Sequence, residues 1–271
     1  MKRFLSLALA LLMMATLAVA VSAHTSGNNW GDIPLYKGKI TVDGVKDAIY
    51  DKGFTVNINN RTDGKTGGAT GKAYMLWDGS KLYIFVEVTD ADVVKFNASA
   101  AAHKNDGVEF TLDYSNAGSN RCKVCVNVGN NSANKMGDSP DGMYSVQCKT
   151  SAKGYNVELV CDLSKQNIQP VKFGVQYGIN LLINDITGTN TRGIIRTVHK
   201  NNPTENETAK YDYITLSNKE VKIEAQTTKP AAQTQKPTSS TTAPATADVF
   251  TVIAVAAAAS LSGVIVSKKR K

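Results

Sequence analysis

The sequence predicts an all-β protein, an antiparallel β-sandwich of about eleven strands. Between Trp30 and Val221, apolar residues recur mainly with period two, in short runs that Gly, Asn and Asp interrupt. Turn sequences such as Asp78-Gly79-Ser80 and Ser151-Ala152-Lys153-Gly154 join neighbouring runs as hairpins. No long helix is indicated in this region. Short strands joined by tight turns therefore favour a sandwich.

The predicted strands follow the alternation of side chains along the chain. The clearest is Lys81–Val88, which is rich in β-branched and aromatic residues. The others are Lys39–Val42, Thr55–Ile58, Lys72–Trp77, Gly107–Asp113, Cys122–Val128, Met143–Lys149, Tyr155–Cys161, Phe173–Ile183, Gly193–Val198 and Tyr211–Leu216. We therefore expect residues 24–221 to hold the folded domain.

Two segments flank this domain as targeting signals. Residues 1–23 combine Lys2 and Arg3, an apolar run and small residues at the end, which is the layout of a secretory signal peptide. Residues 249–267 carry no charge and, at about 1.5 Å per residue, just cross a hydrocarbon core about 30 Å thick. The basic residues 268–271 keep the C-terminus in the cytoplasm. We expect 248–271 to be a transmembrane anchor that holds the domain on the extracellular face of the membrane.

The region between domain and anchor, residues 222–247, is rich in Thr, Pro, Ser and Ala. It has too few large apolar side chains to fold, so we expect a disordered linker. Pro244 and Thr246 resemble part of the Leu-Pro-x-Thr-Gly sorting signal of Gram-positive wall proteins, whereas Ala243 and Ala247 replace its Leu and Gly. This pattern favours a Gram-positive surface and an anchor that is retained rather than cut by a sortase.

Neither charge nor carboxylate spacing indicates nucleic-acid binding or catalysis. The net charge is +8, but six basic residues lie at the chain ends, and the remaining 25 nearly balance 23 acidic residues. Glu109 and Asp113 are four residues apart on a predicted strand, or about 13 Å. That distance exceeds the roughly 5–9.5 Å between glycosidase carboxylates. The sequence favours a binding protein over an enzyme.

Five segments occur in an order that points to one family. They are Ile40–Ala48, Leu76–Asp78 leading to Leu82–Ile84, Asp106–Phe110 with Asp113, Gly154–Glu158, and Ile183–Asp185 with Arg192. Together they resemble family-9 carbohydrate-binding modules, a branch of the DOMON-like β-sandwich group, over most of Lys39–Leu216. The resemblance implies a module that binds a ligand, usually a sugar, at one end of a sheet without catalysis. It requires no cofactor, although structural calcium on the Asp-rich loops is compatible with it.

The resemblance also assigns polar residues to a sugar site. Glu109 keeps the family's Glu and Asn202 its Asn, and both are expected to hydrogen-bond sugar hydroxyl groups. The family's Arg and Gln positions fall on Cys125 and Leu182, which cannot take over those hydrogen bonds. Only part of the polar site is therefore expected to be retained.

The two stacking faces of the family are not retained. His103 and Glu205 stand where two Trp rings sandwich a pyranose, so His103 is expected to form one wall of the site. By analogy with nucleobase stacking, each lost face is worth about 1–3 kcal/mol, which predicts weak binding or a different ligand. Other aromatic residues could supply a displaced platform or be half-buried sheet residues; they are Tyr74, Phe96, Tyr114, Tyr144 and Tyr211. We expect Trp77 in the core and Trp30 to be exposed.

Two other functions stay open. The domain could have lost sugar binding and act as a surface interaction or scaffold domain that binds a protein or a wall polymer. A haem- or copper-binding DOMON-like domain is the third alternative, with His24, His103 and His199 as the available histidines. No spacing singles out a ligand pair among them.

The four cysteines lie in a chain that is expected outside the cell, where disulfides persist. If Cys122–Val128 pairs with Met143–Lys149 through the Asn-rich loop between them, Cys125 comes opposite Cys148. We therefore hypothesise a Cys125–Cys148 disulfide, with buried free thiols as the alternative. Zinc is disfavoured because Cys122 and Cys125 point to opposite faces of a strand.

Overall fold

The computed structural model describes residues 28–62, 68–93, 96–114, 121–167, 170–187, 192–197 and 211–223. The predicted signal peptide, nearly all of the predicted linker and the predicted anchor lie outside these ranges. Within them, no helix has the length and hydropathy that a membrane span requires. The chain divides into two units, Met1–Ala225 and Gln226–Lys271, and every described strand lies in the first.

The described residues form twelve β-strands and four short 3-10 turns, which confirms the predicted all-β class. The strands are β1 Asn29–Leu35, β2 Phe54–Arg61, β3 Thr70–Trp77, β4 Lys81–Thr89, β5 Gly107–Asp113, β6 Arg121–Asn127, β7 Ser132–Gly137, β8 Tyr144–Ser151, β9 Gly154–Asp162, β10 Gln176–Ile186, β11 Arg192–Thr197 and β12 Asp212–Glu220. Both predicted hairpins are present, as β3–β4 and β8–β9.

The strands join in the order β7-β6-β5-β10-β11-β2-β3-β4-β9-β8, with β12 paired to β10, and β1 to β12 and β3. All pairs are antiparallel except the two that β1 makes. Inward side chains from both halves of this order share one core, for example Phe110 and Val124 from one half and Ile84 and Leu159 from the other. Two strand layers around a shared core are consistent with a β-sandwich.

One predicted strand is wrong, because Lys39–Val42 has no strand structure. Its segment crosses the outer side of β3 and β4, where Ile40 joins a second apolar cluster with Tyr74 and Phe85. Its backbone N–H groups bind side chains rather than a neighbouring strand. Thr41 N–H donates to Asp47 Oδ2 at 2.9 Å, and Asp43 N–H donates to a carboxylate of β9 at 2.9 Å.

Two strands were not predicted, β1 and β7. β1 contains Gly31 and Pro34, which are typical of turns, but its pairing is parallel and irregular, with shifts in register along β12. β7 is a polar edge strand without alternating apolar residues, and polar or charged side chains are common on sheet edges. Neither strand carries the period-two pattern on which the other predictions depended.

The predicted cysteine pairing is also wrong. After β6 the chain turns at once, with Asn131 in the left-handed region at φ 53°, and returns as β7. Cys125 therefore faces Asn134 on β7, whereas Cys148 faces Val157 on β9. The hypothesised Cys125–Cys148 disulfide is not formed, and all four cysteines are free thiols.

These thiols are expected to be inert in the native protein. Burial raises the pKa of Cys122 to about 11 and that of Cys125 and Cys148 to about 12, so little thiolate exists at neutral pH. Iodoacetamide at pH 8 should leave the folded chain unmodified and should alkylate four thiols after unfolding. A mass 2 Da lower without reductant than with it would instead show a disulfide.

Candidate functional site

Six residues form one row across the first half of the sheet, from β7 to β2. Strand register aligns Asn134 with Cys125, Cys125 with Glu109, Glu109 with Leu182, Leu182 with Arg196, and Arg196 with Asn60. Because side chains alternate between the faces of a strand, this row lies on the face opposite the core. We call it the Glu109 row. At about 4.8 Å between strands, its six strands span about 24 Å.

Glu109 at the middle of the row is held by a buried polar network. Its side chain is only 2% exposed, and Lys123 Nζ lies 2.7 Å from its Oε2 atom. Arg192 Nη2 lies 2.9 Å from Oε1, and Asn184 Nδ2 donates to the same oxygen at 3.0 Å. Arg192 Nε also donates to Asn184 Oδ1 at 2.8 Å. Charge-assisted hydrogen bonds of this kind fix the carboxylate in one orientation.

Four strands supply this network, and the alternation of side chains explains which residues contribute. On β5 the residues Val108 and Phe110 enter the core, so Glu109 between them faces outward. Lys123 shares the outward face of β6 with Cys125, two residues along the same strand. Two cations around one carboxylate leave an excess of one positive charge in the network.

Sequence reasoning missed Lys123 as a functional residue. Its place within the run Cys122–Val128 predicted a strand position, but not that its side chain would reach Glu109 from the neighbouring strand. Asn184 and Arg192 were part of the family resemblance without an assigned role. The sequence feature that points to Asn184 and Arg192 is the order of the motifs, because Asp106–Phe110 and Ile183–Asp185 belong to the adjacent strands β5 and β10.

The structure brings some of the predicted site residues together. Cys125 and Leu182 flank Glu109 directly in the row. His103 is half-buried in the turn Ala102–Lys104 before β5, and Asn127 Nδ2 on β6 donates to the carbonyl of Ala102 at 2.7 Å. Asn202 and Glu205 lie outside the described residues. The binding roles of all four candidate residues stay predictions.

The aromatic residues considered as a platform are mostly buried. Tyr74 and Tyr114 are 6% and 5% exposed. Tyr211 is also buried, its hydroxyl group hydrogen-bonds Asn180 and Thr111 beside the row, and burial raises its pKa. Trp77 is a core residue as expected, and its Nε1 donates to the carbonyl of Ser217 at 2.7 Å. The expectation that Trp30 is exposed is wrong.

Trp30 is buried because β1 belongs to the sheet. Its side chain joins the main core cluster and is 8% exposed. Its Nε1 donates to Asp212 Oδ2 at 2.7 Å. Asp212 also accepts the backbone N–H of Asn28 at 2.8 Å, so this one carboxylate fixes the start of β1 on β12.

Three carboxylates converge at one end of the domain, where Asp185 directly follows Asn184 of the Glu109 network on β10. Asp90 and Asp92 follow β4, and Asp185 lies near the end of β10. Their oxygen atoms lie within 4.8 Å of one another, which is close enough for all three to contact one metal ion. Of the histidines considered for haem or copper, only His103 lies within the described residues.

Comparisons with known proteins show the family of this chain. The carbohydrate family 9 binding domain-like family matches residues 42–219. Endo-1,4-beta-xylanase C of Paenibacillus barcinonensis is 30% identical over 154 residues, which cover 55% of this chain and 13% of that enzyme. Exoglucanase XynX of Acetivibrio thermocellus is 33% identical over 104 residues, 35% of this chain and 9% of the enzyme. The chain therefore spans only a small part of the curated relatives it matches.

Solved structures show the same fold. A family-9 carbohydrate-binding module of Caldicellulosiruptor kristjanssonii, solved with cellotriose, matches with a TM-score of 0.57 at 22% identity, over 69% of this chain and 94% of that module. A family-9 module of the same organism, solved with glucose, matches over 72% of this chain and 100% of that module, also with a TM-score of 0.57 at 22% identity. The family match covers well over half of the sequence, and this chain belongs to the carbohydrate family 9 binding domain-like family.

Proposed function

We propose that this domain is a non-catalytic module that binds a carbohydrate chain along the Glu109 row. The observation that carries this proposal is the row itself. Three positions at which the resemblance expects sugar contacts, Cys125, Glu109 and Leu182, stand side by side on adjacent strands. A row about 24 Å long is comparable in length to several sugar units.

The chemistry of the row suits hydroxyl groups. Glu109 offers carboxylate oxygens whose orientation Lys123, Arg192 and Asn184 fix, so a sugar hydroxyl can donate to a prearranged acceptor. Asn60 at one end of the row adds an amide donor and an acceptor, and Asn134 at the other end adds an amide oxygen, because its Nδ2 already donates to Cys125 O and Asn127 Oδ1. Cys125 stands where the family has an Arg, so that position carries no positive charge. Arg192 and Lys123 supply positive charge beside it.

We infer a β-1,4-linked polysaccharide as the ligand class. The solved relative from Caldicellulosiruptor kristjanssonii was obtained with cellotriose and with glucose, and the matching enzymes are named as xylanases and an exoglucanase. Without the two Trp faces of the family, binding is expected to be weaker than is usual for it. The signal peptide and anchor expected from the sequence would present the domain on the outside of the cell, where such polymers occur.

The burial of Glu109 favours one competing function. A carboxylate that is 2% exposed and bound by two cations can serve the fold rather than a ligand. The domain would then be a scaffold or protein-interaction domain on the cell surface. Carbohydrate binding and this alternative predict different results in one screen.

The screen is affinity electrophoresis of the full chain in gels that contain cellulose derivatives, xylan or an unrelated polysaccharide. Carbohydrate binding predicts retardation in at least one β-1,4-linked polymer and release of the protein by cellotriose. Equal mobility in every gel, with pull-down on insoluble cellulose and xylan also negative, would contradict carbohydrate binding and leave the scaffold function.

A further inference from the structure

We propose that a cleft beside β1 and β12 binds a hexuronic acid unit, a sugar that carries a carboxylate, at a site separate from the Glu109 row. The cleft has a volume of about 270 Å³. This lies just below the roughly 300–1,000 Å³ of typical ligand pockets, so its size suits one sugar unit rather than a chain. The lining residues on which the proposal depends are Asp32, Pro34, Lys52, Phe54, Ser217 and Lys219.

A bulge in β12 forms one wall of the cleft. The register between β1 and β12 shifts after Ile33, so that Pro34 alone lies opposite residues 217–219 of β12. Pro34 has no N–H group to donate to the neighbouring strand. The carbonyl oxygen of Ser217 instead accepts Trp77 Nε1 at 2.7 Å, which holds the bulge against the core. Bulges redirect side chains and are common next to functional sites.

Phe54, the first residue of β2, gives the cleft an apolar surface together with Pro34. Its side chain is partly buried and packs against the main core cluster. A Cβ atom at Gly31 would lie 2.8 Å from Phe54 Cε2, so the glycine lets the ring lie directly against the backbone of β1. An aromatic ring held in this way can pack on the apolar C–H face of a sugar, which a small inorganic anion lacks.

The charged residues around this apolar surface favour a ligand with one negative charge. Lys52 and Lys219 line the cleft together with one carboxylate, Asp32, which leaves an excess of one positive charge. Among the described residues, none of the three is in an ion pair, and the neighbouring Glu220 is bound by two other lysines. A ligand carboxylate can therefore pair with the lysines. Asp32 can accept sugar hydroxyl groups and disfavours a second negative charge.

The cleft does not depend on the proposed function of the Glu109 row. Phe54 lies six residues before Asn60, which ends the row on β2, and six strand residues span about 20 Å. A neutral chain on the row and an acidic sugar in the cleft would therefore bind at different places. Failure of either site leaves the other unaffected.

NMR titration of the full chain tests the proposal through the backbone amide signals of residues 217–219. D-glucuronate or D-galacturonate should shift these signals saturably at millimolar concentration. D-glucose, which has the ring of glucuronate without the carboxylate, should bind there about tenfold more weakly or less. Acetate should cause no saturable shift, because it has charge without a ring. An equal response to glucose or acetate, or none to either uronate, would overturn the proposal.

Lysine variants show whether the cleft supplies the charge. Lys219→Gln and Lys52→Gln should each lower uronate affinity about fivefold or more, with unchanged Tm, because both side chains are exposed. The control Lys149→Gln removes an exposed lysine of β8 and should keep full affinity. Equal affinity in the two cleft variants, or the same loss in the control, would contradict the proposal. Cellotriose binding should be equal in Lys219→Gln and the wild type, which separates this site from the row.

The chain's own linker is the competing occupant, because β12 ends beside the cleft and leads into it. A synthetic peptide of residues 224–247 serves as the probe for this alternative. Under the proposal, the peptide leaves the amide signals of residues 217–219 unchanged and does not compete with uronate. Shifts of these signals with the peptide, together with no response to either uronate, would assign the cleft to the linker and overturn the proposal.

Discussion

Replacing Glu109 by alanine is expected to destabilise the domain by about 3–5 kcal/mol, because it leaves buried cations without their counter-charge. Lys123 is 7% exposed in its side chain and lies 2.7 Å from the carboxylate that the substitution removes. Arg192 and Asn184 lose the same acceptor. Urea unfolding followed by intrinsic fluorescence measures the change as a lower midpoint.

Two matched variants show whether the buried charge causes this loss. The double variant Glu109→Gln with Lys123→Met removes one charge of each sign and should recover most of the stability, since Arg192 keeps Asn184 as an acceptor. Glu220→Gln removes a carboxylate that also lies between two lysines, Lys37 and Lys222, but at the surface. That control should unfold almost like the wild type. An unchanged midpoint for Glu109→Ala would show that the network does not contribute to stability.

A second large effect is expected at Glu158, which fixes the segment before β2 onto β9. Glu158 is fully buried, and its Oε2 accepts the backbone N–H groups of Asp43 and Gly44 at 2.9 and 3.0 Å. Its Oε1 accepts the hydroxyl group of Tyr50 at 3.0 Å. Glu158→Ala leaves three donors without an acceptor at about 1–3 kcal/mol each, so a loss of about 3 kcal/mol or more is expected.

The same residue gives a pH dependence with a defined sign. Burial raises the pKa of Glu158 above 4.5, and the nearby Asp47 adds to this, although the hydrogen bonds from Gly44, Asp43 and Tyr50 oppose it. Because the folded-state pKa is the higher one, this contribution is present below about pH 4.5 and is lost as the pH rises through the folded-state pKa. Relative to Glu158→Gln, the wild type should therefore lose stability as the pH rises above 4.5. Urea midpoints of both proteins from pH 4 to pH 8 measure this difference, and a difference that grows in favour of the wild type would contradict the assignment.

Most strands could be predicted because one face of each packs against the apolar core. In Gly107–Asp113 the alternation of Val108, Phe110 and Leu112 with polar residues gave the strand and its inward face together, and the structure has the same bounds. Lys39–Val42 alternates in the same way but covers the outside of the sheet. Alternation of apolar and polar residues indicates that one face of a segment is packed. It cannot distinguish a paired strand from an extended segment whose backbone binds side chains.

The family motifs could be recognised from the sequence, but the contacts that explain why they occur together are seen only in the structure. Glu158 of one motif binds the backbone of Asp43 and Gly44 in another, which explains why the two occur together. Asp106 Oδ1 likewise accepts the N–H of Ile186 at 2.7 Å and joins the start of β5 to the end of β10. Contacts of this kind join residues about 80 or more positions apart, and no local pattern reports them.

The candidate site could be predicted only in part, for the same reason. Glu109 was found by resemblance, whereas Lys123 depends on the register between β5 and β6, which the sequence does not fix by itself. The Cys125–Cys148 hypothesis failed on the same point, because β7 was not anticipated and it takes the place beside β6. Strand pairing decides which side chains meet at a site. One missed edge strand therefore assigns the wrong neighbours to the strand beside it.

Calorimetric titration of the full chain with cellotriose tests the central claim most directly. Three proteins are compared at equal folded fraction: the wild type, the control Glu220→Gln, and the double variant Glu109→Gln with Lys123→Met. Binding along the Glu109 row predicts saturable binding to the wild type and to Glu220→Gln, with affinity at least tenfold lower in the double variant. Equal affinity in all three proteins would place the sugar elsewhere, and no binding to the wild type at millimolar cellotriose would contradict carbohydrate recognition at this row.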